Sequence, residues 1–201
     1  MKPYVITISR QFASMGRTIA QLMAKELNIN FYDRDIVAET AKRMGLMKKD
    51  ISAYDEQAHG GFFMRKNYLF RLSSYSIRDE IFETQKNVIL DFVSKGSCII
   101  VGRCADSILR DHPNALHIYV YAPFEKRLDN CVNKLMMDKK EAINDIKRVD
   151  AARSAYRKLY CPDCKSDFTD RDLMIDSSRF GEEMTAKLLV DLVRNTIAKE
   201  D

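Results

Sequence analysis

The sequence predicts an α/β fold, a parallel sheet with helices on both faces. Three observations predict it. Short apolar runs alternate along the chain with stretches of helical periodicity. One of these runs, Cys98-Ile99-Ile100-Val101, is wholly apolar, as a strand buried on both faces should be. Polar or basic residues directly follow several strand ends, where open parallel sheets bind their ligands.

Taken in order, Tyr4 to Ser9 reads as the first strand. Ile19, Leu22, Met23 and Leu27 then recur at helical spacing. Phe31-Tyr32 is a very short strand, and Asp33 can cap a second helix that runs through Met44 and stops at Gly45. Residues 46–66 read as irregular and include His59-Gly60-Gly61. A long helix is expected over 73–94, closed by Lys95-Gly96, and Cys98 to Val101 is the next strand. Leu116 to Ala122 is another strand, ended by Pro123, which suits the first turn of a helix. Helices are expected over 124–137 and 139–160, broken by Cys161-Pro162-Asp163-Cys164. Leu173 to Asp176 is the last strand and 181–199 the last helix.

The chain has 201 residues and is 46% hydrophobic, enough for one domain with a sizeable core. Charged residues make up 31%, yet the net charge is only +4 and no long block of like charge occurs. That argues against a nucleic-acid partner and leaves acidic small molecules open. No apolar stretch approaches the roughly 20 residues of a membrane span, so no membrane partner is expected. The first residues enter a strand pattern without a signal-peptide layout, and the odd count of five cysteines argues against a disulfide framework. A cytoplasmic protein is the expectation; the oligomeric state is left open.

The first strand leads into Gln11-Phe12-Ala13-Ser14-Met15-Gly16-Arg17-Thr18. The phosphate-binding loop pattern is G-x-x-x-x-G-K-[ST]. Here Gln11 replaces the first glycine and Arg17 the lysine. Such a loop works by aiming backbone N–H groups at phosphate oxygens, with a helix N-terminus behind them. Ser14, Met15, Gly16, Arg17 and Thr18 are the candidate residues for ATP phosphates. Arg17 keeps the cation as a planar fork, and Thr18 sits where a hydroxyl ligand of Mg²⁺ belongs. Read alone, the stretch is equally a plain strand–turn–helix.

Three segments, "ITISRQFASMGRTIAQLMAKELNINFYDRDIV", "IIVGRCADSILRDHPNALHIYVYAP" and "DLMIDSSRFG", resemble the cytidylate-kinase-like family, a divergent branch of the nucleoside monophosphate kinases. The family's first motif commonly reads S-R-Q-x-G-S-G-G-R-x-[IL]-[GA], with arginine at the lysine position. Ala13 and Met15 stand where that pattern has glycines. The resemblance implies a P-loop NTPase-type three-layer sandwich, with a five-stranded parallel sheet of order 2-3-1-4-5 and helices on both faces. It implies a monophosphate-binding insertion over about 33–94 and a lid over about 138–170. It also implies transfer of the γ-phosphoryl of ATP, with Mg²⁺, to CMP, dCMP or a similar monophosphate.

The site residues follow from matching positions. Asp150, Arg153 and Arg157 share one helix face at i, i+3 and i+7. They resemble the D-x-x-R element of a lid that brings Arg153 and Arg157, with Arg17, to the transferring phosphoryl. The same spacing also suits a solvated face with one ion pair. The family's further basic group falls on Ile146, with Lys147 and Arg148 beside it. Gly102-Arg103 matches a G-R-D element near the acceptor, with Cys104 in place of the acid. Asp33, Arg78, Arg103 and Asp106 are the acceptor-binding candidates, and Asp33 and Asp106 read equally as helix N-caps.

Cys161 and Cys164 form a single C-x-x-C, which cannot fill a tetrahedral site; His59, His112 and His117 lie far off in sequence. No zinc is expected, and the pair reads as a turn with two ordinary thiols. A nucleoside monophosphate kinase is the first functional reading. A nucleotide-binding protein with weakened catalysis, or a kinase of another small acceptor, are the alternatives that Ala13, Met15, Cys104 and Ile146 leave open.

Overall fold

The computed structural model describes residues 2–47, 68–161, 163–164 and 170–198, with backbone alone for 68–76. Most of the stretch expected to be irregular, including His59-Gly60-Gly61, lies outside the described residues.

Five strands form one sheet in the order β2-β3-β1-β4-β5. They are β1 (Val5–Arg10), β2 (Asn30–Tyr32), β3 (Cys98–Val101), β4 (Ala115–Tyr121) and β5 (Leu173–Asp176). Every neighbouring pair is parallel, with Ile6 opposite both Ile99 and Leu116. The helices are α1 (Gly16–Leu27), α2 (Arg34–Met44), α3 (Tyr68–Val93), α4 (Ala105–Ile108), α5 (Phe124–Asn133), α6 (Lys139–Tyr160) and α7 (Gly181–Asn195).

Strand alternation sorts the core into two layers. Tyr4, Ile6 and Ile8 pack with Ile19 and Met23 of α1 and with Leu189 and Val193 of α7. Val5, Cys98 and Ile100 pack with Ile36 of α2 and with Val88, Ile89 and Phe92 of α3. Each such fully buried Ile or Leu contributes roughly 1.5–3 kcal/mol. β3 is buried along its whole length, which accounts for its unbroken apolar sequence.

Helix ends follow local chemistry. Asn28 and Gly45 stop α1 and α2 in the left-handed conformation, and their N–H groups close the last turns. Asp138 caps α6, accepting from the N–H groups of Lys140 and Glu141. α5 ends at Asn133 rather than 137, because Met136 turns left-handed and the Met137 N–H returns to the Cys131 carbonyl. α3 begins at Tyr68, before the expected 73, and α7 ends at Asn195, before the expected 199.

Candidate active site

The loop between β1 and α1 is held from several sides. The Gln11 N–H donates to the Val120 carbonyl at 3.0 Å, and Gln11 Oε1 accepts from the Ala122 N–H at 3.1 Å. A glycine at position 11 could not make that second bond, so the side chain joins the loop to the end of β4. The buried Ser14 hydroxyl donates to the Gln11 and Val120 carbonyls, and the Ser177 hydroxyl donates to the Ser14 carbonyl at 2.7 Å. From the other side, Asn130 Nδ2 donates to the Ala13 carbonyl at 2.9 Å. Asp150 Oδ1 accepts the Phe12 N–H at 2.7 Å, while its Oδ2 pairs with Arg127.

Ala13 and Met15 adopt φ of 58° and 59°. This left-handed region costs a non-glycine residue roughly 1–2 kcal/mol. Met15 is the N-cap of α1 and makes no side-chain cap. The first turn of α1 therefore leaves its backbone N–H groups for another acceptor. Gly16 tolerates no substitute, since a Cβ would lie 2.8 Å from Arg10 Cβ.

Beside this loop lies a cavity of about 460 Å³ at the carboxyl ends of β1 and β3. Five arginines line it: Arg10, Arg103, Arg153, Arg157 and Arg171. Two acids, Asp106 and Asp150, face them. Burial and the neighbouring Arg153 guanidinium push Arg10 down to about 9, against the pull of Asp33. Arg10 stays protonated at neutral pH, and crowded, desolvated cations of this kind gain from an incoming anion. Gly102, Arg103 and Cys104 form a left-handed run, with φ of 79°, 57° and 51°. The φ of 79° favours glycine at position 102, and a Cβ there would also displace the tip of the Arg10 guanidinium. Left-handed backbone at Gly102, Arg103 and Cys104 thus forms part of the cavity wall and is held in place by its surroundings.

A model of the Cytidylate kinase-like family matches residues 5–179. The chain belongs to this family. It is 25% identical over 196 residues to the cytidylate kinase of Methanocaldococcus jannaschii, covering 95% of this chain and 98% of that one. Among solved structures, an uncharacterized protein from Eubacterium ventriosum matches with TM-score 0.67 and 24% identity, over 98% of this chain and 99% of that one. A shikimate kinase from Acinetobacter baumannii, solved in complex with shikimate, matches with TM-score 0.51 and 13% identity, over 99% and 97%. Family and fold make the chain a phosphotransferase of the nucleotide-kinase type.

Cytidylate-kinase-like positions read from the sequence fall in two groups. Arg103, Asp106, Arg153 and Arg157 line the cavity together. Arg153 Nη1 donates to the Arg10 carbonyl at 3.0 Å. Asp106 is buried and pairs with Arg157 at 2.5 Å and with Arg171 at 2.9 Å. Burial raises its carboxyl, but the two guanidiniums outweigh that and hold it below the usual carboxylate range. Asp106 is not a helix cap: Cys104 occupies that place. Asp33 does stand at the N-cap of α2, yet its carboxylate caps nothing and instead pairs with Arg17 at 2.5 Å and Arg10 at 3.8 Å.

Arg17 and Thr18 lie in the first turn of α1 beside Ser14, Met15 and Gly16, with Arg17 also over the Phe31 ring. Arg78 lies apart from the cavity lining, on the α3 face that carries Phe82 and Gln85. That face meets α6, where Phe82 stacks on Tyr160 and the Tyr156 hydroxyl donates to Gln85 at 2.8 Å. Ile146 is core, packed with Ala13, Cys131 and Ala142, so no charge fits there. Lys147 and Arg148 are exposed, and Arg148 pairs with Asp145, so neither supplies the missing cavity cation.

Arg10, Arg171, Tyr119 and Arg127 were not legible as site residues. Arg171 rests 4.6 Å above the Tyr119 ring while it pairs with Asp106. Arg10 carried two signals: it is the arginine of the S-R-Q pattern, and it is a charged residue closing an otherwise buried strand, the same reasoning that singles out Arg103.

Among the described residues, no group of three or more His, Cys, Asp or Glu side chains could hold a metal. The half-buried Thr18 offers one hydroxyl at the loop. That fits Mg²⁺ arriving with ATP, since Mg²⁺ commonly takes most of its oxygens from phosphate and water.

Proposed function

We propose that the protein transfers the γ-phosphoryl of ATP to a nucleoside monophosphate, with CMP or dCMP the foremost acceptor. The observation that carries this reading is the arginine-lined cavity set beside the uncapped start of α1. The loop from Ser14 to Thr18 receives the ATP phosphates, Arg17 leaving Asp33 to join them. Arg10 and Arg103 take the acceptor phosphate, with Asp33 beside Arg10; Arg78, set apart from the cavity lining on α3, would reach the acceptor only if that helix moves toward it. Arg153 and Arg157, from the lid helix, follow the negative charge that spreads over the phosphoryl oxygens during transfer. Mg²⁺ enters with ATP, held in part by Thr18. The cytoplasm, where both substrates are available, is the proposed place of action.

CMP leads because the M. jannaschii relative is a cytidylate kinase. One observation favours a second reading, a different small acceptor. Position 104 carries a buried cysteine, and burial pushes its thiol up to about 12, so it is neutral where the G-R-D pattern has an acid. The test is product formation from ATP and Mg²⁺ with each common monophosphate and a set of small phosphorylated and unphosphorylated alcohols. A diphosphate product with CMP or dCMP supports the first reading. Product only with a non-nucleotide supports the second.

A further inference from the structure

Cys161 closes α6, the helix that carries Arg153 and Arg157. Its N–H bonds to the Arg157 carbonyl at 2.8 Å, and the Cys164 N–H returns to the Cys161 carbonyl at 3.0 Å. The two side chains are joined as a disulfide, with Cα atoms 5.3 Å apart. This corrects the expectation of two separate thiols. The remaining cysteines, Cys98, Cys104 and Cys131, are buried and free.

Two features set this pair apart from a structural staple. A bridge over so short a loop restrains the unfolded chain least. And Arg110, from the turn after α4, places Nη2 at 3.2 Å from Cys164 Sγ and 3.6 Å from Cys161 Sγ. A guanidinium there stabilises thiolate, and so stabilises the reduced form relative to the disulfide. It offsets the helix C-terminus and the nearby Asp170 carboxylate, 3.7 Å from Arg110, both of which oppose a thiolate. The chain of contacts continues inward. Asp170 pairs with Arg157 at 3.4 Å, and Arg157 pairs with Asp106 in the cavity wall.

We propose that Cys161 and Cys164 form a reversible disulfide–dithiol site, reduced by dithiols, whose state sets how firmly the end of α6 holds Arg157. Cys164 is the more exposed residue of the pair, Cys161 being 4% exposed. A reductant thiolate attacks Cys164 Sγ, the sulfur–sulfur bond breaks, and the electron pair leaves on Cys161 Sγ beside Arg110. The second thiol of the reductant then attacks its own sulfur in the mixed disulfide and expels the Cys164 thiolate. Two electrons and two protons pass to the protein, and the reductant leaves as a cyclic disulfide. The covalent link between Cys161 and Cys164 is then lost.

The experiment uses the whole chain and dithiothreitol. Alkylation under denaturing conditions, read by mass, should label three cysteines before reduction and five after it. In Arg110→Leu the midpoint of reduction should need at least threefold more dithiothreitol, because the thiolate has lost its cation. Hydrogen exchange across residues 153–161 should quicken several-fold on reduction. Five labelled cysteines before reduction would overturn the site. An unchanged midpoint in Arg110→Leu would remove the role of Arg110, and unchanged exchange would remove the coupling to α6.

Discussion

Asp150 Oδ1 accepts the backbone N–H of Phe12 at 2.7 Å, so a residue of α6 holds the backbone of the loop between β1 and α1 directly. The same carboxylate pairs with Arg127, which also donates to the Phe12 carbonyl at 3.3 Å. The sequence places Asp150 on one helix face with Arg153, one turn along. Asp150 ties α5 and α6 to the loop, and Arg153 is held by the Arg10 carbonyl.

Asp150→Ala should therefore cost more than a surface ion pair. It leaves the mostly buried Arg127 guanidinium without its carboxylate and the Phe12 N–H without its acceptor. The expected loss is about 2–3 kcal/mol. Asp150→Asn keeps an acceptor for Phe12 and should lose less. Urea unfolding of both variants checks this, and equal losses would show that the Phe12 bond contributes nothing.

Arg153 is expected to act in the transition state. Arg153→Ala should lower kcat by on the order of 10³-fold with KM for the acceptor little changed. Arg153→Lys keeps the charge but loses the planar fork, and should remain clearly impaired. Steady-state kinetics with the best acceptor decides. Near wild-type kcat in both variants would leave Arg153 as a loop support only.

Met15→Gly relieves a φ of 59° at the head of α1. Relief of left-handed strain, less the entropy glycine adds to the unfolded chain, should stabilise the protein by up to about 1 kcal/mol. Removing the side chain also opens the approach of phosphate to backbone, so KM for ATP should fall. Thermal unfolding and kinetics measure the two effects separately. A destabilised variant with unchanged KM would mean that Met15 packs usefully.

Asp106 predicts the acid behaviour of the fold. Its carboxyl is held below the usual range, so the folded state binds this proton less readily than the unfolded chain. The resulting stability is fully present above the ordinary carboxylate value of about 3.9 and is lost as pH falls through the lowered value. Asp106→Asn leaves Arg157 and Arg171 uncompensated and should cost about 3–5 kcal/mol near neutrality. It should also flatten the fall in stability below about pH 4. Denaturant unfolding at a series of pH values gives both results.

Much of the fold was legible because the relevant signals are local. The Cys98–Val101 run, Gly45 after α2, Pro123 before α5 and the cysteine break after α6 each mark a boundary by their own chemistry. Sheet order came from the family resemblance, not from periodicity. The site was legible where a residue sits at a strand end, as Arg103 does. It was not legible where the partner lies far along the chain. Nothing near Asp106 in sequence announces Arg157 or Arg171, and nothing near Gln11 announces Ala122. Arg17 illustrates the same gap, since its motif points to phosphate while its position in the fold gives it Asp33.

The most direct measurement is coupled ADP production by the whole chain with Mg²⁺ and ATP, with and without CMP. ADP formed in step with CDP, and only slowly without acceptor, is the predicted result. No acceleration by CMP, dCMP or any other nucleoside monophosphate would contradict the proposed activity.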